Sequence, residues 1–155
     1  MGEVVYGNAT DSEAARREGH PGYAYTRRAL VPADRAQMCT LGHYELEPGM
    51  SAYPYHCHLQ NEEIFYILSG QGLLRTPEGE RLVGPGESIY FPAGEAGAHK
   101  ITNISQTEML VYLDFDVCHP LDACLYPDSG KIGIYGQGVR QIHETANQVD
   151  YYKGE

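Results

Sequence analysis

Four side chains of the types that bind transition metals stand close together in the middle of the chain. An H-x-H-x4-E run is followed by another histidine 36 positions later. Imidazole and carboxylate groups are ligands that divalent Mn, Fe, Ni, Zn and Cu all accept. The sequence therefore predicts one divalent transition metal per chain, and the candidate metal ligands are His56, His58, Glu63 and His99.

The spacing of the first two histidines favours a β-strand over a helix. Side chains alternate between the two faces of a strand, so His56 and His58 project from one face and Cys57 from the other. Metal-binding pairs on a helix are usually three or four residues apart instead. We therefore expect the ligands to lie on strands, inside a β-barrel.

The central part of the chain has the pattern of a barrel. Short β-like segments follow one another from about residue 36, and Gly- and Pro-containing turn signals separate them. No helical periodicity interrupts them, so 36–116 is predicted to be an all-β barrel or jelly roll. The predicted strands are 37–46, 50–58, 62–69, 72–76, 80–83, 87–91, 98–104 and 108–116.

The two ends of the chain are predicted to be arms. Residues 1–35 are polar, and the capping-box spacing of Thr10 and Glu13 ahead of an Ala-Ala-Arg-Arg run indicates a short helix. Residues 117–155 contain fewer β-branched residues and a clear turn at 126–130, so we expect an irregular arm. That arm packs either on its own barrel or on a partner chain.

The bulk composition excludes several classes of protein. A length of 155 residues suits one domain with a core of its own. The net charge of −10, from 21 acidic and 11 basic side chains, disfavours nucleic acid as a partner. The longest apolar runs are too short to span a membrane, and no secretory signal is visible. These features favour a soluble, cytoplasmic protein with reduced cysteines.

Two motifs in this order resemble those of the cupin superfamily. The first is Gly49-(x6)-His56-x-His58-(x4)-Glu63-(x6)-Gly70, in which the gap after the first glycine is one residue longer than usual. The second is Gly86-(x5)-Pro92-x-Gly94-(x4)-His99-(x3)-Asn103, with two extra residues before the histidine. Fifteen residues separate Gly70 from Gly86. The chain is similar to small single-domain, metal-binding cupins without an assigned reaction.

The resemblance implies a double-stranded β-helix, the cupin jelly-roll barrel, with His56, His58, Glu63 and His99 as metal ligands. Glu62 competes with Glu63, but only Glu63 has the required distance to Gly70. Strand alternation from Glu63 then turns Phe65 and Ile67 inward as an apolar layer around the site.

Two further side-chain orientations follow from strand alternation. Ile64, Tyr66 and Leu68 face outward although they are apolar, so this strand needs a second covering layer. One of the arms or another subunit can supply it, and we predict a homodimer. Alternation leaves the direction of Arg75 open: inward, it can pair with a ligand carboxylate or phosphate, and outward, it is a solvated charge.

Two functions are consistent with these features. The first is a metal-dependent enzyme acting on a small polar or anionic metabolite, with oxygenase, isomerase, lyase or decarboxylase chemistry as the resemblance implies. The alternative is a non-catalytic, metal-dependent protein that binds a sugar or carboxylate. Fold and ligand set together do not select a reaction.

Overall fold

The fold consists almost entirely of β-strands. The computed structural model describes residues 3–36 and 38–155; Gln37, at the start of a predicted strand, lies outside them. Three short 3-10 turns, Glu95–Gly97, Pro127–Ser129 and Thr145–Asn147, interrupt the strands. Within the described ranges, no helix is long and apolar enough to cross a membrane. The strands are β1 (Ala14–His20), β2 (Tyr23–Val31), β3 (Cys39–Leu46), β4 (Cys57–His58), β5 (Glu62–Ser69), β6 (Gly72–Thr76), β7 (Gly79–Val83), β8 (Ser88–Phe91), β9 (Lys100–Asn103), β10 (Leu110–Val117), β11 (Leu121–Tyr126), β12 (Lys131–Gly136) and β13 (Val139–Glu144).

The strands form three antiparallel sheets. The largest has the order β1-β2-β3-β10-β5-β8, the second β13-β12-β11-β4 and the third β7-β6-β9. Non-consecutive neighbours such as β3, β10 and β5 show that the chain crosses between sheets, as expected of a jelly roll. The predicted cupin barrel is confirmed, and the strands predicted at 62–69 and 72–76 have these bounds in the structure.

Alternation between buried and exposed side chains explains where the core lies. In β3 every second side chain is buried, and in β5 the buried ones are Glu63, Phe65 and Ile67. The odd number of residues between them places all three on the inner face, as predicted. The buried cluster comprises Tyr44, Leu46, Ala52, Phe65, Ile67, Leu74, Val83, Phe91, Ile101, Leu110 and Tyr112.

Asn103, the last residue of the second motif, closes one end of this core. Its side-chain amide nitrogen donates hydrogen bonds to the carbonyl oxygens of Leu46 (2.9 Å) and Glu108 (2.8 Å). Its side-chain oxygen accepts one from the backbone N–H of Ser105 at 2.9 Å. Asn103 is almost completely buried, so its three hydrogen bonds satisfy backbone groups that water does not reach.

Both predictions for the local structure of the chain ends were wrong. Ala14–His20, expected to be helical, forms strand β1, because it pairs with β2 and so gains backbone hydrogen bonds that outweigh a local capping pattern. The segment 117–155, expected to be irregular, contains β11, β12 and β13. β11 pairs with β4, so this segment becomes a wall of the barrel beside two of the candidate ligands.

Candidate metal centre

The four predicted ligand residues come from three segments of the chain and lie close together inside the barrel. His56 and His99 face each other across an isolated bridge, in which each backbone N–H donates to the other residue's carbonyl oxygen (3.1 and 2.8 Å). His58 ends β4, and Glu63 is the second residue of β5. The bridge and the two strand ends bring residues 43 positions apart in sequence next to one another.

The distances between these side chains are short. The ring centroid of His56 lies 5.2 Å from that of His58 and 4.8 Å from that of His99. The Oε2 atom of Glu63 lies 3.5 Å from Nε2 of His58 and 3.3 Å from Nε2 of His99. Ligand atoms bound at about 2.0–2.2 Å to one ion are separated by roughly 3.0–3.4 Å, so these spacings suit a common metal.

The Nδ1 atom of each histidine already has a hydrogen-bond acceptor. Nδ1 of His56 lies 2.9 Å from the carbonyl oxygen of Pro54, and Nδ1 of His99 lies 2.9 Å from that of Gly97. A carbonyl oxygen only accepts, so Nδ1 carries the hydrogen in both rings and Nε2 carries a lone pair. The extra residues before His99 form the 3-10 turn that supplies the Gly97 carbonyl.

For the third histidine the acceptor is Asp122, which the sequence reasoning missed. Oδ2 of Asp122 lies 2.6 Å from Nδ1 of His58, and its Oδ1 accepts the backbone N–H of Gln60 at 2.9 Å. Burial acts to raise the pKa of Asp122, but these hydrogen bonds outweigh it and hold the pKa below its ordinary value. A carboxylate behind an imidazole fixes the ring and makes Nε2 a stronger ligand.

A signal for Asp122 was present in the sequence. In the run Leu-Asp-Ala-Cys-Leu-Tyr, Asp122 and Cys124 are two residues apart, which places both side chains on one face of a strand. Turn signals and few β-branched residues in 117–155 concealed that strand. Only its pairing with β4 reveals that the face points at His58.

Hydrogen-bond acceptors, the imidazole Nε2 atoms and the carboxylate oxygens of Glu63, lie close together in this centre. The ligand atoms of His56, His58 and Glu63 lie within 4.8 Å of one another, and Nε2 of His99 lies 3.3 Å from the Glu63 carboxylate, buried without a hydrogen-bond partner. Such an arrangement needs either a cation or a proton between the acceptors. Burial, followed by the charge of neighbouring imidazoles, lowers the pKa of His56 to about 4 and that of His99 to about 3. Neutral imidazoles are the form that binds metals.

Two further carboxylates lie beside Glu63. Asp116 is its cross-strand partner on β10, and Asp114 lies two residues away on the same inner face. Burial raises the pKa of Glu63, and the neighbouring Asp114 and Asp116 raise it further. Burial likewise raises the pKa of Asp114. Glu63 and Asp114 therefore keep their protons to higher pH than free carboxyl groups unless a positive charge is bound among them.

Aromatic side chains surround the centre and limit access of water. The ring of Phe91 stacks on His99 with a centroid distance of 3.8 Å, and Phe65 meets the same imidazole edge-on at 5.2 Å. Tyr53 and Tyr126 flank His56 at 6.1 and 6.0 Å. Burial raises the pKa of both phenols, so they stay protonated and can donate hydrogen bonds at neutral pH.

The remaining sequence predictions are resolved by position. Glu62 is exposed and accepts a hydrogen bond from the Tyr90 hydroxyl (2.8 Å), whereas Glu63 is buried, as predicted. Cys57 packs in a separate apolar cluster, away from the ligand face. Arg75, whose direction the sequence left open, points away from the centre and forms a bidentate ion pair with Asp128, with N–O distances of 2.6 and 2.9 Å.

Another group of ligand-type side chains lies directly behind His58. Sγ of Cys124 is 3.2 Å from Nδ1 of His58, the atom that already donates to Asp122. Burial raises the pKa of Cys124, so the thiol keeps its proton, whereas metals bind the thiolate. This group therefore supports the orientation of His58 and is a poorer metal site than the one that Nε2 faces.

Sequence comparisons identify a family over the barrel. The family model described as "Cupin domain" matches residues 42–116, a range that includes all four candidate ligands. An uncharacterized protein of Methanocaldococcus jannaschii is 38% identical over 56 residues. That match covers 36% of this chain and 43% of the relative, so it spans less than half of the relative's length.

Solved structures extend the similarity to nearly the whole chain. A candidate sugar phosphate isomerase from Acidithiobacillus ferrooxidans has a TM-score of 0.80 and 26% identity, over 91% of this chain and 90% of its own. A sugar phosphate isomerase of the cupin superfamily from Silicibacter pomeroyi has a TM-score of 0.81 and 18% identity, over 94% and 96%. The polyketide cyclase RemF from Streptomyces resistomycificus has a TM-score of 0.60 and 29% identity, over 77% and 81%.

The lowered imidazole pKa values act to destabilise the metal-free protein in acid, whereas the raised pKa values of Glu63 and Asp114 act in the opposite direction. An unfolded chain protonates these histidines near pH 6.5, whereas His56 and His99 in the folded chain resist protonation down to about 4 and about 3. Their contribution to stability is complete above pH 6.5 and falls with pH through the window from 6.5 to 4. Each ring contributes a slope of up to about 1.4 kcal/mol per pH unit there.

Urea unfolding of chelator-treated protein between pH 4 and 7 measures this slope. We expect His99→Gln to reduce this slope by up to about 1.4 kcal/mol per pH unit, the effect of one proton. His20→Gln, at an exposed position, is expected to leave the slope unchanged. An equal slope in wild type and His99→Gln would contradict the assignment of His99 as a buried neutral ring.

Proposed function

Because the chain belongs to the cupin superfamily, we propose that it is a metal-dependent enzyme acting on a small anionic metabolite. The proposed site holds one divalent transition metal through His56, His58, Glu63 and His99. The observation that carries the proposal is the approach of imidazole Nε2 atoms to a buried carboxylate. Nε2 of His58 and Nε2 of His99 lie 3.5 and 3.3 Å from Oε2 of Glu63, while the Nδ1 atom of each of the three rings faces an acceptor of its own. A dication satisfies all of these acceptors at once.

The reaction class that we propose is isomerisation of a phosphorylated sugar. The similar Acidithiobacillus ferrooxidans protein supports this choice, since the similarity covers both chains almost completely. A metal at this site supplies a Lewis acid that polarises a carbonyl group. The protonated phenols of Tyr53 and Tyr126 lie adjacent to His56, and their hydroxyls pair with those of Tyr44 (3.0 Å) and Tyr135 (2.9 Å). Each tyrosine pair has one hydrogen left that can be donated to a sugar oxygen, while Phe65 and Phe91 exclude water.

Metal content tests the ligand set with a matched pair of neighbouring carboxylates. Glu63→Gln removes a buried charge beside two imidazoles, whereas Glu62→Gln alters an exposed side chain on the opposite face. We expect wild type and Glu62→Gln to hold close to one transition metal per chain by elemental analysis. Glu63→Gln is expected to bind at least about tenfold more weakly, because even groups behind the ligands change affinity by about 10–100-fold.

Equal metal content in Glu63→Gln and Glu62→Gln would show that the ligand assignment is wrong. Asp122→Asn separates orientation from ligation in the same measurement: it keeps the shape of the side chain but weakens its hold on the Nδ1 hydrogen of His58.

An exchange assay tests the reaction itself. Protein loaded with each candidate metal is incubated with phosphorylated aldoses and ketoses in heavy water, and product mass and proton spectra are followed. Isomerisation that passes a proton through a protein base exchanges it with solvent, so we expect deuterium in the product. Glu63→Gln is expected to lower the rate more than about hundredfold, since metal polarisation is worth several kcal/mol. Tight binding of these sugars without turnover by any metal form would favour the non-catalytic alternative.

We also propose that two copies associate through the outer face of the large sheet. Ile64, Tyr66 and Leu68 on β5 are 40, 43 and 41% exposed, and Tyr90 on the neighbouring β8 is 55% exposed. Leu113 and Phe115 of β10 lie opposite Tyr66 and Ile64, so the apolar surface is continuous across three strands. Neither chain end covers it in the described ranges, because β1 and β2 extend the same sheet and β11–β13 belong to another.

A second copy offers an identical apolar patch, which a two-fold axis makes self-complementary. Sedimentation velocity at micromolar concentration is expected to show a dimer. Tyr66→Glu should shift it toward monomer, while Leu82→Glu, which changes another exposed apolar side chain on β7, should not. A wild-type monomer at that concentration would contradict the proposal.

A further inference from the structure

A second cavity lies next to the candidate metal centre. It has a volume of about 210 Å³ and opens between the β1–β2 pair and β13. Arg17 of β1 pairs directly with Tyr25 of β2, and Arg27 follows two residues later on the same face. We call this cavity the arginine pocket; its lining residues are Ala15, Arg17, Tyr25, Arg27, Tyr53 and Arg140.

The arginines of this pocket differ from the others in their partners. The chain contains eight arginines, and the five outside the pocket all form ion pairs with carboxylates. Arg17, Arg27 and Arg140 form no such pair with any carboxylate in residues 3–36 and 38–155. The chain has a net charge of −10, but three guanidinium groups without an ion-pair partner in these ranges make the surroundings of this cavity locally positive.

The three arginines contribute differently. Nε of Arg27 is buried and has no hydrogen-bond partner, and the nearby Asp114 and Asp116 balance part of its charge. Arg17 and Arg140 are exposed side chains at the rim, so they supply the net positive charge. Arg140 lies over the ring of Tyr135 at 5.9 Å, which holds it on the pocket side of β13.

Tyr53 connects this pocket to the metal centre. It lines the arginine pocket and also a small cavity against His56 and His99. Its ring centroid is 6.1 Å from that of His56 and 5.3 Å from that of Tyr25. Tyr53 therefore contributes to the wall of both cavities, and the arginine pocket adjoins the candidate metal centre through this one side chain.

We propose that the arginine pocket binds the anionic group of the small-molecule ligand, a phosphate or a carboxylate, while its other end lies at the metal centre. Guanidinium groups present paired N–H donors that match the oxygens of either anion. The inference rests on the proposed function, because it assigns a charged group to the same substrate. It adds three residues that neither the ligand set nor the family motifs include.

Calorimetric titration with inorganic phosphate and, separately, succinate tests the pocket. Chelator-treated protein is used at constant ionic strength, so that neither anion binds through the metal. Arg17→Gln and Arg140→Gln are each expected to weaken anion binding about tenfold. Arg81→Gln, which removes the same charge from an exposed arginine on β7, is the matched control and is expected to change it less than twofold. The tighter of the two anions identifies the group that the pocket takes.

The proposal is overturned if Arg17→Gln and Arg140→Gln bind both anions as Arg81→Gln does, or if wild type binds neither. Metal content is measured on the same preparations before the chelator is added, and again after the apo-protein is incubated with each candidate metal. If the purified protein holds no metal and takes up none, yet binds anions through these arginines, the metal site is refuted and the pocket remains. If the metal content is intact but anion binding does not depend on these arginines, the pocket is refuted and the metal site remains.

Discussion

The centre depends on the hydrogen bonds that fix the outer nitrogen of each imidazole. A free histidine ring rotates and exchanges its hydrogen between Nδ1 and Nε2. Here Pro54, Gly97 and Asp122 each present an acceptor to one Nδ1, so the hydrogen stays on the outside and all Nε2 lone pairs point inward. Two of the three acceptors are backbone carbonyls, so the barrel itself sets the orientation of these rings.

The same geometry explains why so much negative charge is buried beside the rings. Glu63 and Asp114 lie in the interior with Asp116 adjacent, and without compensation such a group is unfavourable in an apolar barrel. Protonation compensates for it in the metal-free chain, as the raised pKa of Glu63 indicates. In the proposed metal site a dication would take the place of that proton, and the imidazoles would complete its ligand shell. The burial of neutral imidazoles and the burial of carboxylates are thus linked, because one cation bound between them would compensate both groups of acceptors.

Strand alternation was sufficient to predict which neighbouring side chains share a face. It placed His56 opposite Cys57 and, once the motif distance to Gly70 had selected Glu63, it turned Glu62 outward, because the direction of a side chain on a strand depends on its neighbours in sequence. The helix expected before residue 20 was wrong for the opposite reason: a capping pattern is local, whereas β1 is stabilised by pairing with β2. Asp122 was missed because its proximity to His58 comes from a pairing between distant strands, and Arg17 and Arg27 were missed because the β1–β2 hairpin was itself not predicted.

These pairings bring side chains from both chain ends next to the candidate metal centre and the arginine pocket. β11 carries Asp122 to His58, and the β12–β13 hairpin that follows carries Arg140 to the rim of the pocket whose opposite wall is β1 and β2. The family motifs lie within residues 49–103 and contain none of these side chains. The segments of the barrel motifs therefore hold the proposed metal ligands, which many reactions can use, while the added strands bring the Asp122 carboxylate behind His58 and the guanidinium groups of the neighbouring pocket. Selection of substrate on such a fold resides in the segments outside the shared motifs, because only there do the side chains reach the part of a ligand that is not bound to the metal.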